Sequence, residues 1–462
     1  MTNFINPPSL IQSMEKENRN IYNKKQSALR INIKDASAYS ASNGISNAYI
    51  TPFVLKLSSN ELFVGILSAL TGLVAPISQI FGSSLMKKYE RKSIVIHAVF
   101  WQAILWLPLS ILAILKYFNV FQNILIYIFI ASYTLIIALS GIAVPAWFSW
   151  IGDLINEKHK GRFFAKRYTY MGIFEMVAVI AGGIILKTTE NTTFALLSFS
   201  AIFFLSFIFR LISLMYIKKM YIDKSAKLVK SHNAIINLLS NHKAFKMFST
   251  YNLFLHFSIF FASPFFAVYM LKELNFSYLL YMAVALSGGV YYLIFNKAIG
   301  KFSDRYGNIK LLILSNICFA LNPLLWTLSQ GPIYLILVPG LFTGIANSAM
   351  IISLNNFTLD ALSKRERGDG IAFLNLFAGI GVFIGSILGG LFLKLDFNIL
   401  SLNNFIILFL IAFVLRALVA FIFVPKIKEV KHVKTLPAMH ISLMHPFKSI
   451  HSEMSWAKHV FR

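Results

Sequence analysis

The chain has 462 residues, of which 57% are hydrophobic and only 13% charged. Its mean hydropathy is +0.67, whereas charged residues alone make up about a quarter of a soluble domain. Disordered chains, coiled coils and ordinary cytosolic enzymes are excluded, and most of the surface requires a bilayer. One Cys excludes a disulfide framework and a thiolate metal cluster. Lys and Arg number 43 against 18 Asp and Glu, a net charge of +25. In a membrane chain such an excess reports topology rather than nucleic acid.

A bilayer-crossing helix needs about 20 mostly apolar residues. Such runs predict twelve spans, at 31–55, 61–85, 93–115, 122–151, 165–187, 192–217, 247–271, 278–299, 308–329, 332–356, 370–393 and 402–425. The first is polar throughout. Residues 1–27 are rich in Asn, Lys and Ser and read as a solvated cytoplasmic tail without a cleavable signal. The expected fold is an all-α membrane protein with 12 transmembrane helices in two pseudo-symmetric six-helix bundles. The bundles occupy 28–218 and 246–425. A cytoplasmic linker at 219–245 separates them, and a basic cytoplasmic tail follows at 426–462.

Placing the N-terminus in the cytoplasm puts 36 of the 43 Lys and Arg in inner segments and five in outer loops. The excess alternates loop by loop, as the positive-inside rule requires. Both termini are therefore expected in the cytoplasm, with the chain in the plasma membrane.

The two halves repeat. Asp153, Gly161, Gly172 and Gly182-Gly183 recur as Asp360, Gly368, Gly379 and Gly389-Gly390, all at an offset of 207. Arg210 and Arg416 correspond at an offset of 206. The glycine pairs suit close helix approach. Each acid ends a span beside a basic loop. Asp153 with Arg162, and Asp360 with Arg367, are read as charge-assisted latches. The alternative is basic loops serving topology alone.

Gly300-Lys301-Phe302-Ser303-Asp304-Arg305-Tyr306-Gly307 lies between spans eight and nine, with Lys310 beyond it. It resembles the loop signature of the major facilitator superfamily. The equivalent loop from Gly82 keeps the leading Gly and the basic residues, but Met86 replaces the Asp and Tyr89 the second Gly. The resemblance covers about 28–425. It implies two six-helix bundles that rock around a substrate held near the midplane. It also implies gating by these loops, with Gly300, Asp304, Arg305 and Gly307 in that role.

Intramembrane ionisable groups default to functional candidates. Glu175 lies 12 residues from Lys187, roughly 18 Å deep. His256 falls near the middle of span seven. Both, with Asp35 near the cytoplasmic boundary, are proton-coupling candidates, and Asp35 has Arg30 and Lys34 within reach. Arg210 and Arg416 are expected to snorkel toward headgroups. Asp35, Tyr39, Ser42, Ser46 and Tyr49 share one face of span one, with Asn43 and Asn47 beside it. Such a stripe faces either other helices or a water-filled cavity, and the cavity is favoured. Asn252, Tyr291, Asn296, Asn347 and Asn375 complete the pathway candidates. Trp147 and Trp150 suit interface anchors.

No phosphate-binding loop, ATPase motif, metal cluster or nucleophile constellation stands in the sequence, so no catalytic residue, metal or cofactor is expected. The partners expected are a small-molecule substrate and the lipid bilayer, not nucleic acid, and the chain is expected to be a monomer. The function implied is that of a secondary transporter, symporter or antiporter, coupled to protons. Uptake and efflux are undivided. The alternative is a transporter-like sensor or scaffold that does not transport.

Overall fold

The computed structural model describes residues 8–155, 160–222, 243–362, 367–395 and 403–427. Most of the expected linker and almost all of the basic tail lie outside them. Every regular element among the described residues is helical. Eleven helices are long and apolar enough to cross a membrane. Span one is the twelfth, formed by Pro8–Asn47 and Ile50–Leu57. It starts well before its expected limit, and most of residues 19–27 are exposed along it. The protein is an all-α membrane protein.

The remaining spans follow the expected limits closely. Span two is Leu62–Leu85, span four Leu125–Leu154, span five Lys160–Thr189 and span six Ala195–Lys219. Span eight is Tyr278–Tyr306, span nine Asn308–Leu328, span eleven Arg367–Lys394 and span twelve Asn404–Phe423. Three more spans are interrupted, as span one is. Span three is Arg91–Ile104 and Trp106–Tyr117, and span ten is Pro332–Leu337 and Pro339–Ala361. Span seven is Lys243–Phe260, Phe265–Val268 and a π-helical turn at Tyr269–Glu273. Pro52, Pro108, Pro264 and Pro339 stand at or just after these breaks. A proline has no N–H for the carbonyl four residues earlier and crowds it sterically.

Contacts divide the chain into two compact units. One is Met1–Phe53 with Ile77–Ser231, and the other is Val54–Pro76 with His232–Arg462. In the first unit, span one packs on spans five and six. Ser42 Oγ donates to the Ser206 carbonyl at 3.0 Å, and Ser206 Oγ returns a bond to the Ser42 carbonyl at 2.6 Å. Tyr49 Oη donates to the Val179 carbonyl at 2.5 Å, and its ring fills the space a side chain on Gly182 would need. Beyond the break, Phe53 is fully buried and its ring centroid lies 5.1–5.2 Å from those of Phe129, Phe199 and Phe203.

In the second unit, span eleven lies directly on span seven. Gly381, Gly385 and Gly389 recur every four residues, and a Cβ on each would strike the carbonyl of Leu253, Phe257 or Phe261. Small residues at this spacing let two backbones touch where a bilayer supplies no hydrophobic drive between helices. The first part of span two leans on the other side of span eleven. Ser386 Oγ donates to Ser68 Oγ at 3.0 Å, and Gly65 and Gly72 meet Ser386 and Val382. At the adjoining loop, Lys272 Nζ pairs with Glu61 and donates to the Ser59 carbonyl.

The helix contact sets a test. Gly385→Val should cost about 1–3 kcal/mol through overpacking, because its Cβ position is already filled by backbone. Gly289→Val, whose Cβ meets nothing within 4 Å, serves as the control. The thermal midpoints of the two purified variants should separate clearly, with Gly289→Val near the parent.

Candidate functional site

Two polar centres stand inside the protein, one in each unit. In the first, Asp35 is 4% exposed. Its Oδ1 accepts from Ser213 Oγ at 2.6 Å, and Ser213 Oγ accepts from Arg210 Nη1 at 3.0 Å. Arg210 Nε donates to Gln102 Oε1 at 2.6 Å, and Gln102 Nε2 donates to the Ile136 carbonyl at 3.2 Å. The Arg210 guanidinium also lies over the Tyr39 ring, 4.5 Å from its centroid. A second buried guanidinium, Arg167, reaches span one at Asn32, one turn before Asp35. Its Nε donates to Asn32 Oδ1 at 3.1 Å, and it stacks on Trp147 at 4.2 Å. Spans one, three, four, five and six thus meet around one carboxylate and two cations.

In the second unit, a cavity of about 460 Å³ opens among spans seven to ten and twelve, with His256, Tyr281, Asn322, Trp326, Asn347 and Arg416 in its wall. His256 Nδ1 is 2.8 Å from the Asn252 carbonyl. A carbonyl only accepts, so Nδ1 carries the hydrogen and Nε2 is left as the acceptor of the neutral ring. Asn252 in turn donates to the Leu374 carbonyl at 3.0 Å. Arg416 is buried. Its Nη1 donates to the Phe319 carbonyl at 2.8 Å, its Nη2 to Ile259 at 3.0 Å and its Nε to Ser258 at 3.4 Å. The Ser258 and Ile259 carbonyls lie just before the break of span seven at Pro264.

The loop ends of the spans hold a third set of contacts. Asp153 forms an ion pair with Arg91, whose side chain is 8% exposed. Lys92 caps the end of span six, with Nζ bonded to the carbonyls of Lys218 at 2.9 Å and Met220 at 2.7 Å. Met86, where the signature has Asp, packs against an apolar cluster that includes Val95 and Ile151. The second unit uses amides at the matching place. Ser303 Oγ donates to Asn308 Oδ1 at 2.7 Å, and Asn356 Nδ2 donates to both oxygens at 3.1 Å. Gly307 has φ 95°, the left-handed region that glycine enters without steric cost, and so closes the turn between spans eight and nine.

Several expectations are corrected. Asp35 meets Ser213 and the Arg210 charge, not Arg30 or Lys34. Arg210 and Arg416 do not snorkel. Each has partners inside its unit, which a buried guanidinium needs more than it needs water access. Ser42 and Ser46 are buried in helix packing rather than facing a water-filled cavity, and Ser46 Oγ donates to the Ser42 carbonyl at 2.7 Å. Asn252 is 2% exposed and ties span seven to span eleven. Asp153 pairs with Arg91, and the side chain of Arg162 lies outside the described residues. Trp150 is no interface anchor, since it is 1% exposed and donates to the Tyr221 carbonyl at 3.1 Å.

Other candidates sit nearer the surface of their units. Tyr39 and Asn43 are half-buried, and Asn47 is exposed and accepts from Tyr133 Oη at 3.2 Å. Tyr291 is half-buried against Phe295, and Asn296 accepts from Ser348 Oγ at 2.9 Å. Asn375 and Glu175 are exposed. Among the described residues neither side chain has a hydrogen bond. Gly300 lies within span eight. The side chains of Arg162, Asp304, Arg305, Asp360 and Arg367 fall outside those described.

Sequence reasoning missed Arg167, Gln102 and Ser213, which the first centre requires, and the Glu61–Lys272 pair. It also missed one internal signal. Thr51-Pro52-Phe53 and Ser263-Pro264-Phe265 mark the same break in spans one and seven.

The family model of the Major Facilitator Superfamily matches residues 36–290 and 248–454. The chain belongs to the Major Facilitator Superfamily and is a membrane solute transporter by family. Among solved structures it is similar to a D-xylose-proton symporter, with TM-score 0.69 and 13% identity over 87% of this chain and 98% of that one. It is also similar to the nucleoside transporter NupG, at 0.65 and 15% over 88% and 99%. A bacterial homologue of the iron transporter ferroportin, in an inward-facing state, gives 0.64 and 14% over 87% and 98%. At such identities the likeness is one of fold. Curated proteins give no match.

The loop-end pair can be measured. Removing either partner, by Asp153→Asn or Arg91→Gln, should cost about 1.5–3 kcal/mol of the contact. The double variant should cost less than the two single changes together. Additive losses in denaturation midpoints would show that the two side chains are not coupled.

Proposed function

We propose that the protein is a secondary active transporter that moves a small solute by alternating access, driven by protons. It lies in the plasma membrane with both termini in the cytoplasm. The observation that carries this reading is the second-unit cavity. Its volume lies in the range of small-molecule sites, about 300–1,000 Å³, and a titratable ring and a buried cation stand in its wall. The inner bias of Lys and Arg supports the orientation. The loop ends around Asp153 and around Gly300, Asp304, Arg305 and Gly307, with Asp360, serve as gates that hold one state and release for the other.

Within this reading His256 is the foremost coupling residue. Its Nε2 is free to take a proton while Nδ1 holds the Asn252 carbonyl, so protonation needs no rearrangement of span seven. An imidazole also changes charge within the physiological range. Glu175 is the second candidate, as a carboxylate with no described partner. Asp35 is held by Ser213 beside two guanidiniums and serves as their counter-charge.

The test is flux in proteoliposomes against a solute panel, with and without a pH gradient. Wild-type protein should accumulate a solute only with the gradient. His256→Gln should retain downhill exchange and lose at least tenfold of the gradient-driven accumulation, about 1.4 kcal/mol of coupling. Full accumulation by His256→Gln together with its loss in Glu175→Gln would move the coupling site to span five. Full accumulation by both would remove proton coupling through either group.

A further inference from the structure

The internal repeat supplies a control on the two arginines. Arg210 and Arg416 occupy equivalent places, 206 residues apart. In the first unit the chain provides Asp35 as the counter-charge, reached through Ser213. The same offset places Val419 where Ser213 stands, and a valine relays nothing. Among the described residues, the wall of the second-unit cavity contains no Asp or Glu. Arg416 meets only carbonyl oxygens there.

A guanidinium has five N–H donors. Three of those on Arg416 meet the Ser258, Ile259 and Phe319 carbonyls, and the other two have no acceptor among the described residues. Carbonyl dipoles satisfy hydrogen bonds but do not cancel a formal charge. A buried cation without a counter-ion is costly, and it is 2% exposed here while standing in a cavity wall. The rest of the wall is largely aromatic and apolar, with Phe260, Phe266, Phe319 and Trp326.

We propose that Arg416 is the binding residue for an organic anion, a small carboxylic acid with an apolar or aromatic body, which takes the place that Asp35 holds in the first unit. The carboxylate pairs with the guanidinium and the body fills the aromatic side of the cavity. Asn322 and Asn347 offer polar groups on the same wall. This proposal rests on the transport reading for its physiological meaning, but the site itself does not require transport.

The experiment is isothermal titration of the purified full-length protein with 3-phenylpropionate, with 3-phenylpropanamide and with chloride. The expected result is at least tenfold tighter binding of the carboxylate than of the amide, with no comparable response to chloride. Arg416→Gln should abolish that preference, and Arg416→Lys should restore part of it. Equal affinity for carboxylate and amide, no carboxylate binding, or an equal response to chloride overturns the proposal. So does a carboxylate preference that survives in Arg416→Gln. The wild-type comparison decides the point even where Arg416→Gln does not survive purification, because it needs no variant. Carboxylate binding without flux in proteoliposomes would defeat the transport reading and leave the site. Flux of neutral or cationic solutes without a carboxylate preference would do the reverse.

Discussion

A guanidinium inside a membrane protein must be given partners, and much of this fold is arranged to give them. Water solvates a charge far better than a protein interior does, so each buried ion needs hydrogen bonds and, where the chain can supply it, a counter-ion. Arg210 draws Gln102 from span three and, through Ser213, Asp35 from span one. Arg167 draws Asn32 from span one and Trp147 from span four. The polarity of span one follows from this. Ser42, Ser46 and Tyr49 satisfy their hydroxyls within the unit, so the helix can be too polar for a hydropathy threshold and still be enclosed.

The prolines act at the same level. A missing N–H frees a carbonyl, and a freed carbonyl in a nonpolar setting needs a donor. In span seven the Ser258 and Ile259 carbonyls, in the turn before the break at Pro264, accept from Arg416, and Ile259 also accepts from Ser263 N at 3.1 Å. In span one the matching break is followed by Phe53 and its aromatic neighbours.

Much of the fold was legible because it follows from chain-local physics. Apolar length located the spans, and the Gly389-Gly390 pair marked a true close approach. The centres were legible only in part. His256 and Asn347 were named from depth, and both stand in the cavity wall. The partners of Asp35, Asp153 and the arginines were not legible, because pairing depends on which helix faces which. Asp35 and Ser213 are 178 residues apart, and no period or motif connects them. Arg167 was hidden for another reason. Counted with the basic loop before span five, it looked like retained positive charge, yet its helix continues inward and buries it.

The sequence repeat places equivalent arginines in the two units, and among the described residues only Arg210 has a carboxylate within its hydrogen-bonded cluster. Placing a carboxylate, a serine relay and a glutamine around Arg210 builds a rigid cluster that locks three helices together. Surrounding Arg416 with carbonyls, rings and empty volume keeps its helix contacts but leaves its charge unanswered. A closed ion cluster resists rearrangement, because separating its members exposes each to an apolar interior. An open one changes its energy when something enters beside it. The contrast between the two centres therefore follows from where the acidic residues fall.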